Sequence, residues 1–297
     1  MKEADSHVEW HADQSGASPI LVMALQGLFD IAGAATDAVD HLVAKADTKV
    51  HVASIDPEVF FDFTQERPRV SLDDNGNRRL TWPQNEAWRL SMPATSDPDK
   101  GDEVLALSGI EPHLRWRTFS EAIGEIAADS GARLVVTLGA MAGLAPHTRA
   151  LGVVGSASDA ALAQRLGLGR PSYQGPTGLV GALHVRLHEL GLAVISLRVS
   201  VPHYVTQSPN PEATRSLLAR LELVTGIRTD HHRFDDEAAK WRSRVDAAVA
   251  NDPEMQRYVA QLEDQVDNAP DLLPDGDAIA AELQAWLRDN DGSSDTD

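Results

Sequence analysis

Apolar positions alternate between short β-branched runs and stretches of helical spacing as far as residue 226, and beyond that only helical spacing persists. Residues 19–26 are an apolar run ending at Gly27, and Asp30 stands where it can cap a helix carrying Ile31, Ala34, Ala35, Ala38, Val39 and Leu42 on one face. A second strand is predicted over 49–55. Asn75-Gly76, between Pro68-Arg69-Val70 and Leu80-Thr81-Trp82, marks an inserted β-hairpin, because both turn residues tolerate positive φ. Further strands are predicted at 104–108, 133–138, 150–154 and 192–201, and helices at 116–129 and 158–166. Another helix opens at Gly175-Pro176-Thr177-Gly178 and runs to Leu190; the next, 211–225, has Asn210 as its cap and Pro211 in its first position. The rhythm is that of an α/β domain over 19–229 with a helical appendage over 230–288. In the appendage Met255, Tyr258, Val259, Leu262 and Val266 share one helical face, as do Ile279, Leu283, Trp286 and Leu287, and such stripes fit the body of the protein or a partner subunit equally well.

Charge narrows the function classes. The chain of 297 residues carries a net charge of −19, which argues against binding duplex nucleic acid or an anionic membrane surface. Residues 230–297 hold 18 acids against 6 bases, so the acidity is concentrated in the appendage. There is no cysteine, which removes disulfides, thiolate metal sites and a cysteine nucleophile. Residues 1–18 are polar and acidic without a basic or apolar leader, and are expected to be a flexible N-terminus; residues 289–297 read as a disordered tail. No run approaches the ~18 apolar residues of a membrane span, so a soluble, cytoplasmic protein is expected.

Polar residues that directly follow predicted strands are the candidates for chemistry, because ligand crevices of α/β sheets lie beyond the carboxyl ends of the strands. Glu111, His147, Arg149, His203 and Tyr204 occupy such positions and can form an acid/base and anion-binding set. From spacing alone they read first as loop structure, with the histidines on backbone carbonyls and Arg149 paired with Glu111 or Asp30. No HExxH or other His and carboxylate spacing supports a metal, and no cofactor is expected. His184 and His188 are read as a solvated helix face. Gly175-Pro176-Thr177-Gly178 is neither GxGxxG nor a Walker loop, and no GxSxG elbow is present.

Read in order, these segments resemble the proteasome assembly chaperone family of the PAC-two type, in its bacterial, mostly actinobacterial branch. The resemblance is carried by Gly27-Leu28-Phe29-Asp30-Ile31-Ala32-Gly33, Asp56-Pro57-Glu58-Val59-Phe60-Phe61-Asp62-Phe63, Arg67-Pro68 and Trp82-Pro83. It continues through Gly109-Ile110-Glu111-Pro112, Trp116, Leu138-Gly139, Pro146-His147-Thr148-Arg149, Tyr173-Gln174-Gly175-Pro176-Thr177-Gly178, Pro202-His203-Tyr204 and Asn210-Pro211, spanning about residues 19–226. It implies a phosphorylase/hydrolase-like three-layer α/β fold with a mixed, mainly parallel sheet, the inserted hairpin and the C-terminal helical appendage. It also implies homo-oligomers, with a trimer favoured by analogy to nucleoside phosphorylases, and a non-catalytic, assembly-chaperone-like role with a proteasome-related partner. Relatives that dock on proteasome rings end in a hydrophobic-Tyr-any tail, whereas this chain ends Ser294-Asp295-Thr296-Asp297, so docking through such a tail is not expected. The alternative is a small-molecule-binding protein or enzyme whose pocket is bordered by Phe29, Asp30, Glu111, His147, Arg149, Tyr173, His203 and Tyr204.

Overall fold

The apolar run that opens the fold becomes a strand buried on both sides. Ile20, Val22 and Ala24 point into one core, while Leu21, Met23 and Leu25 point into the other. This is why the run is continuous rather than alternating. The computed structural model describes residues 6–13, 19–92, 102–171, 174–207 and 209–268. Its main sheet has eight strands in the order β1 (Val8–Trp10), β3 (Thr48–Ile55), β6 (Asn85–Met92), β7 (Asp102–Ile110), β2 (Ile20–Gln26), β8 (Leu134–Gly143), β10 (Val194–Pro202) and β9 (Val153–Ala157).

The four central strands β7, β2, β8 and β10 run parallel, and every pairing outward from them is antiparallel. The sheet is mixed, as expected, but its parallel part is confined to the centre, so "mainly parallel" overstates it. Two flanking features account for the difference. β6 was not foreseen, since Asn85, Glu86 and Arg89 interrupt its apolar pattern, although Ala87, Leu90 and Met92 are buried. β9 falls three residues later than expected and pairs antiparallel to β10 as an edge strand. Within the segment expected as a flexible N-terminus, Val8–Trp10 pairs with Ala53–Ile55, its backbone covering the β3 edge.

Helices cover both faces. α1 (Ala34–Lys45), α3 (Ala160–Arg165) and α5 (Pro211–Thr225) pack on one core, and α2 (Trp116–Asp129) and α4 (Leu179–Glu189) on the other, giving three layers. α2 and α5 have the predicted bounds, and the Asn210 side chain accepts a hydrogen bond from the Ala213 N–H, as a cap should. The predicted hairpin forms β4 (Arg69–Leu72) and β5 (Arg78–Thr81), a separate two-stranded ribbon with Gly76 at φ 79° in its turn. His184 corrects another expectation: rather than facing solvent, its Nε2 lies 2.7 Å from Thr137 Oγ1 on the inner side of α4.

The acidic region folds back on the body. α6 (Asp235–Val249) buries Ala238, Trp241 and Val245, and α7 (Pro253–Asp267) buries Val259 and Leu262. The stripe from Ile279 to Leu287, like the tail 289–297, lies outside the described residues. Among the described residues no helix is long and apolar enough to cross a membrane.

Candidate functional site

Because β2, β7, β8 and β10 are parallel, the polar residues that follow them emerge on a single rim. The structure divides the candidates on this rim into two groups, and Tyr173 lies outside the described residues.

The first group stands beyond β8 and β10. The His147 ring is 1% exposed. Its backbone N–H donates to Tyr204 Oη at 2.9 Å, and its Nδ1 lies 2.7 Å from the same oxygen. Its Nε2 lies 3.1 Å from Asp246 Oδ1 on α6. A carboxylate only accepts, so the network assigns the imidazole proton to Nε2 and leaves Nδ1 to accept from the phenol. His203 Nδ1 donates to the Gly143 carbonyl at 3.2 Å, and its Nε2 lies 3.3 Å from Tyr258 Oη on α7. Arg149 grips Asp267 of α7 with two bonds, Nε to Oδ1 at 2.9 Å and Nη2 to Oδ2 at 2.7 Å. Its Nη1 also donates to Glu263 Oε1 at 3.2 Å, and Thr148 Oγ1 donates to that same oxygen. Arg149 therefore pairs with neither Glu111 nor Asp30, and His147 bonds a phenol and a carboxylate rather than a carbonyl; both differ from the loop reading of the sequence.

Asp246, Tyr258, Glu263 and Asp267 are partners that sequence reasoning missed. Their signal in the sequence is the excess acid of the appendage. Three of its carboxylates bond to the rim, Asp246 to His147, and Glu263 and Asp267 to Arg149. The electrostatics follow. The Arg149 guanidinium holds the Asp267 carboxyl below the usual range, and Asp267, helped by Glu263, raises the guanidinium in turn. Burial pushes the Tyr204 phenol up, and Glu263, Tyr258 and Asp246 add to this, while its bond to the His147 N–H opposes it. An activated phenol requires the opposite shift.

The second group stands between β2 and β7. β2 leads to α1 on one face and β7 to α2 on the opposite face, the arrangement that opens a crevice between adjacent parallel strands. A cavity of about 620 Å³ lies there, bordered by Gln26, Leu28, Glu66, Glu111, His113 and Trp116. Glu111 Oε2 accepts from the Leu28 N–H at 3.0 Å. A Cβ at Gly27 would lie 2.5 Å from that oxygen and 2.7 Å from Glu111 Cβ, so only glycine lets the two loops approach. Asp30 does not face the cavity. It is buried as the cap of α1, with Oδ1 accepting from the Ala35 and Thr36 N–H groups at 2.7 and 3.2 Å and Oδ2 from the Thr36 hydroxyl at 2.5 Å. Phe29 packs on Gly178, where a Cβ would come within 3.1 Å of its ring. Of the expected pocket residues that are described, Glu111 alone borders this cavity. Among the described residues no group of three or more His, Asp or Glu side chains is placed to hold a metal ion.

A family model described as the PAC2 family matches residues 24–249, from within β2 to the end of α6. Comparison with curated proteins returns no match. Among solved structures, a PAC2 family protein from Streptomyces avermitilis is 38% identical, covering 81% of this chain and 99% of that one with a TM-score of 0.75. A proteasome-assembly chaperone homologue from Mycobacterium tuberculosis is 33% identical over 81% of this chain and 99% of that one, TM-score 0.72. An archaeal proteasome activator from Pyrococcus furiosus, 15% identical over 82% of this chain and 99% of that one, shares the fold with a TM-score of 0.61. With a family model spanning most of its length and relatives above 30% identity matched almost end to end, the chain belongs to the PAC2 family.

Proposed function

We propose that this protein is a non-catalytic, assembly-chaperone-like interaction protein that works as a cytoplasmic homo-oligomer, a trimer by analogy of fold, with a proteasome-related partner. The observation that carries the non-catalytic part is the state of the rim. Of the groups best suited to acid/base and anion chemistry, His147, Arg149 and His203 bond to Asp246, Tyr258, Glu263 and Asp267 or to a backbone carbonyl, and Tyr204 bonds to His147. A general acid/base or anion site needs such groups turned toward a substrate. Family membership and the likeness to the mycobacterial proteasome-assembly chaperone homologue supply the partner class.

The test is reconstitution. Purified chain is mixed with recombinant proteasomal α-subunits of its source cell and followed by size-exclusion chromatography with light scattering. A stoichiometric complex and faster ring formation are expected; no co-elution at tens of micromolar removes the assembly role.

A second reading is favoured by the crevice between β2 and β7, whose cavity of about 620 Å³ matches the size of small-molecule sites. In this reading Glu111 positions a ligand bearing hydrogen-bond donors, and Trp116 offers an apolar wall. Native mass spectrometry of protein purified from its source cell tests it. A bound small molecule that is lost in Glu111→Gln supports the reading, and a ligand-free mass spectrum counts against it.

A further inference from the structure

The β4–β5 hairpin stands apart from the main sheet, and all of its strand residues are exposed. Its register sets Val70 opposite Leu80 and Leu72 opposite Arg78, so Val70, Leu72 and Leu80 share one face, at 62%, 69% and 59% exposure. A lone two-stranded ribbon is marginal in water, and a contiguous apolar face on it marks a contact surface. Its charge is distinctive too. Arg67, Arg69, Arg78 and Arg79 outnumber Asp73 and Asp74 in a chain whose net charge is −19. Asp73 is spent on the turn, accepting from the Asn75 and Asn77 N–H groups at 2.9 and 2.8 Å. Among the described residues none of the four arginines has an ion-pair partner.

A complementary surface lies elsewhere on the same chain. α1, the start of α5 and α6 border a groove of about 980 Å³ with apolar walls that include Ala44, Pro211 and Phe234. Asp37 and Asp40 stand on its α1 side, one turn apart, and among the described residues neither has an ion-pair partner. Burial raises both carboxyls above their usual range and the nearby Asp30 carboxylate adds to it, while a hydrogen bond with Ser108 opposes the rise at Asp40. An incoming cation relieves that penalty. His41 lies on the same side, and Glu237, Lys240 and Arg244 line the α6 side, so the free negative charge is concentrated on α1.

We propose that the hairpin of one copy seats its Val70, Leu72 and Leu80 face over the α1–α6 groove of a second copy, with Arg78 directed to Asp37 and Asp40. The partner is a second copy of this chain because hairpin and groove are complementary in charge and in apolar character. Hairpin against hairpin is disfavoured, since it would oppose four arginines with four. A contact between different surfaces of identical chains is heterologous, and repeated about a rotation axis it closes a ring. This inference rests on the homo-oligomer reading above and adds the surfaces that build it.

The experiment is size-exclusion chromatography with light scattering on the full chain over a micromolar concentration series. Circular dichroism on every variant establishes folding. Wild type is expected as one defined oligomer. Arg78→Glu, Leu72→Asp with Leu80→Asp, and Asp37→Arg with Asp40→Arg should each raise the dissociation constant about tenfold or more. The combined variant Arg78→Glu, Asp37→Arg, Asp40→Arg should recover the oligomer, because the charges are exchanged across the same contact. Should the groove variant misfold, Asp37→Asn with Asp40→Asn removes the charge with little change of shape and is expected to weaken association in the same direction. An oligomer whose size and dissociation constant are unchanged in the hairpin variants overturns this inference and leaves the homo-oligomer reading standing. A monomeric wild type overturns both.

Discussion

Tyr204 shows how a residue chosen for its chemistry serves the structure. Its hydroxyl meets both the backbone N–H and the Nδ1 of His147, and its ring packs edge-on against His203 and Tyr258. Tyr204→Phe keeps the ring and leaves two polar atoms of a buried residue without their partner. It is expected to cost about 1–3 kcal/mol in urea denaturation, and a loss within experimental error would show that His147 does not depend on the phenol. His184 makes a second prediction. Burial first, and Arg198 next, lower its pKa from 6.5 to about 4. The folded chain thus keeps it neutral, while the unfolded chain takes up a proton below its ordinary pKa. Stability from this group is present in full above pH 6.5 and is lost as the pH falls toward 4, by about 3 kcal/mol. His184→Gln should flatten the stability curve over that interval and leave its slope unchanged near pH 8.

At the scale of elements, α7 is held to the rim by a short set of bonds: Arg149 to Asp267 and Glu263, Thr148 to Glu263, and His203 to Tyr258. The ion pairs are partly exposed and therefore sensitive to salt. Arg149→Ala is expected to speed amide hydrogen exchange across residues 253–267 several-fold while leaving β8 and β10 protected. Half-molar salt should act on wild type in the same direction. Equal exchange in α7 of variant and wild type would mean that Val259 and Leu262 hold the helix without Arg149. α2 and α5 could be read to the residue because helical spacing and the Asn210-Pro211 start are local signals. β6 could not, since its neighbours on both sides decide which residues are buried, and its polar positions mask the alternation.

For the whole molecule, the two cores are built almost entirely from residues 20–227, with Phe234 and α6 added along one side. The family model ends at residue 249, where α6 ends. Truncation after residue 249 is therefore expected to leave a body that unfolds in one cooperative transition. Its stability should fall by about 2 kcal/mol or more, as Val259 and Leu262 no longer cover their apolar counterparts. Loss of the cooperative transition in calorimetry would mean instead that α7 is integral to the fold.

Layering was determined by the sequence alone: a strand covered on both faces needs an unbroken apolar run such as Ile20–Leu25, and a covering helix needs a stripe such as Ala34, Ala38 and Leu42. The meeting of His147, Arg149, His203 and Tyr204 on one rim was legible for a related reason, since parallel strands all end on the same side. Tertiary structure decided what those residues bond to. Asp246, Glu263 and Asp267 lie about a hundred residues further along the chain, and their arrival at the rim depends on how α6 and α7 pack on the body. Local periodicity records which face of a helix is apolar, but it carries no information about where that face comes to rest.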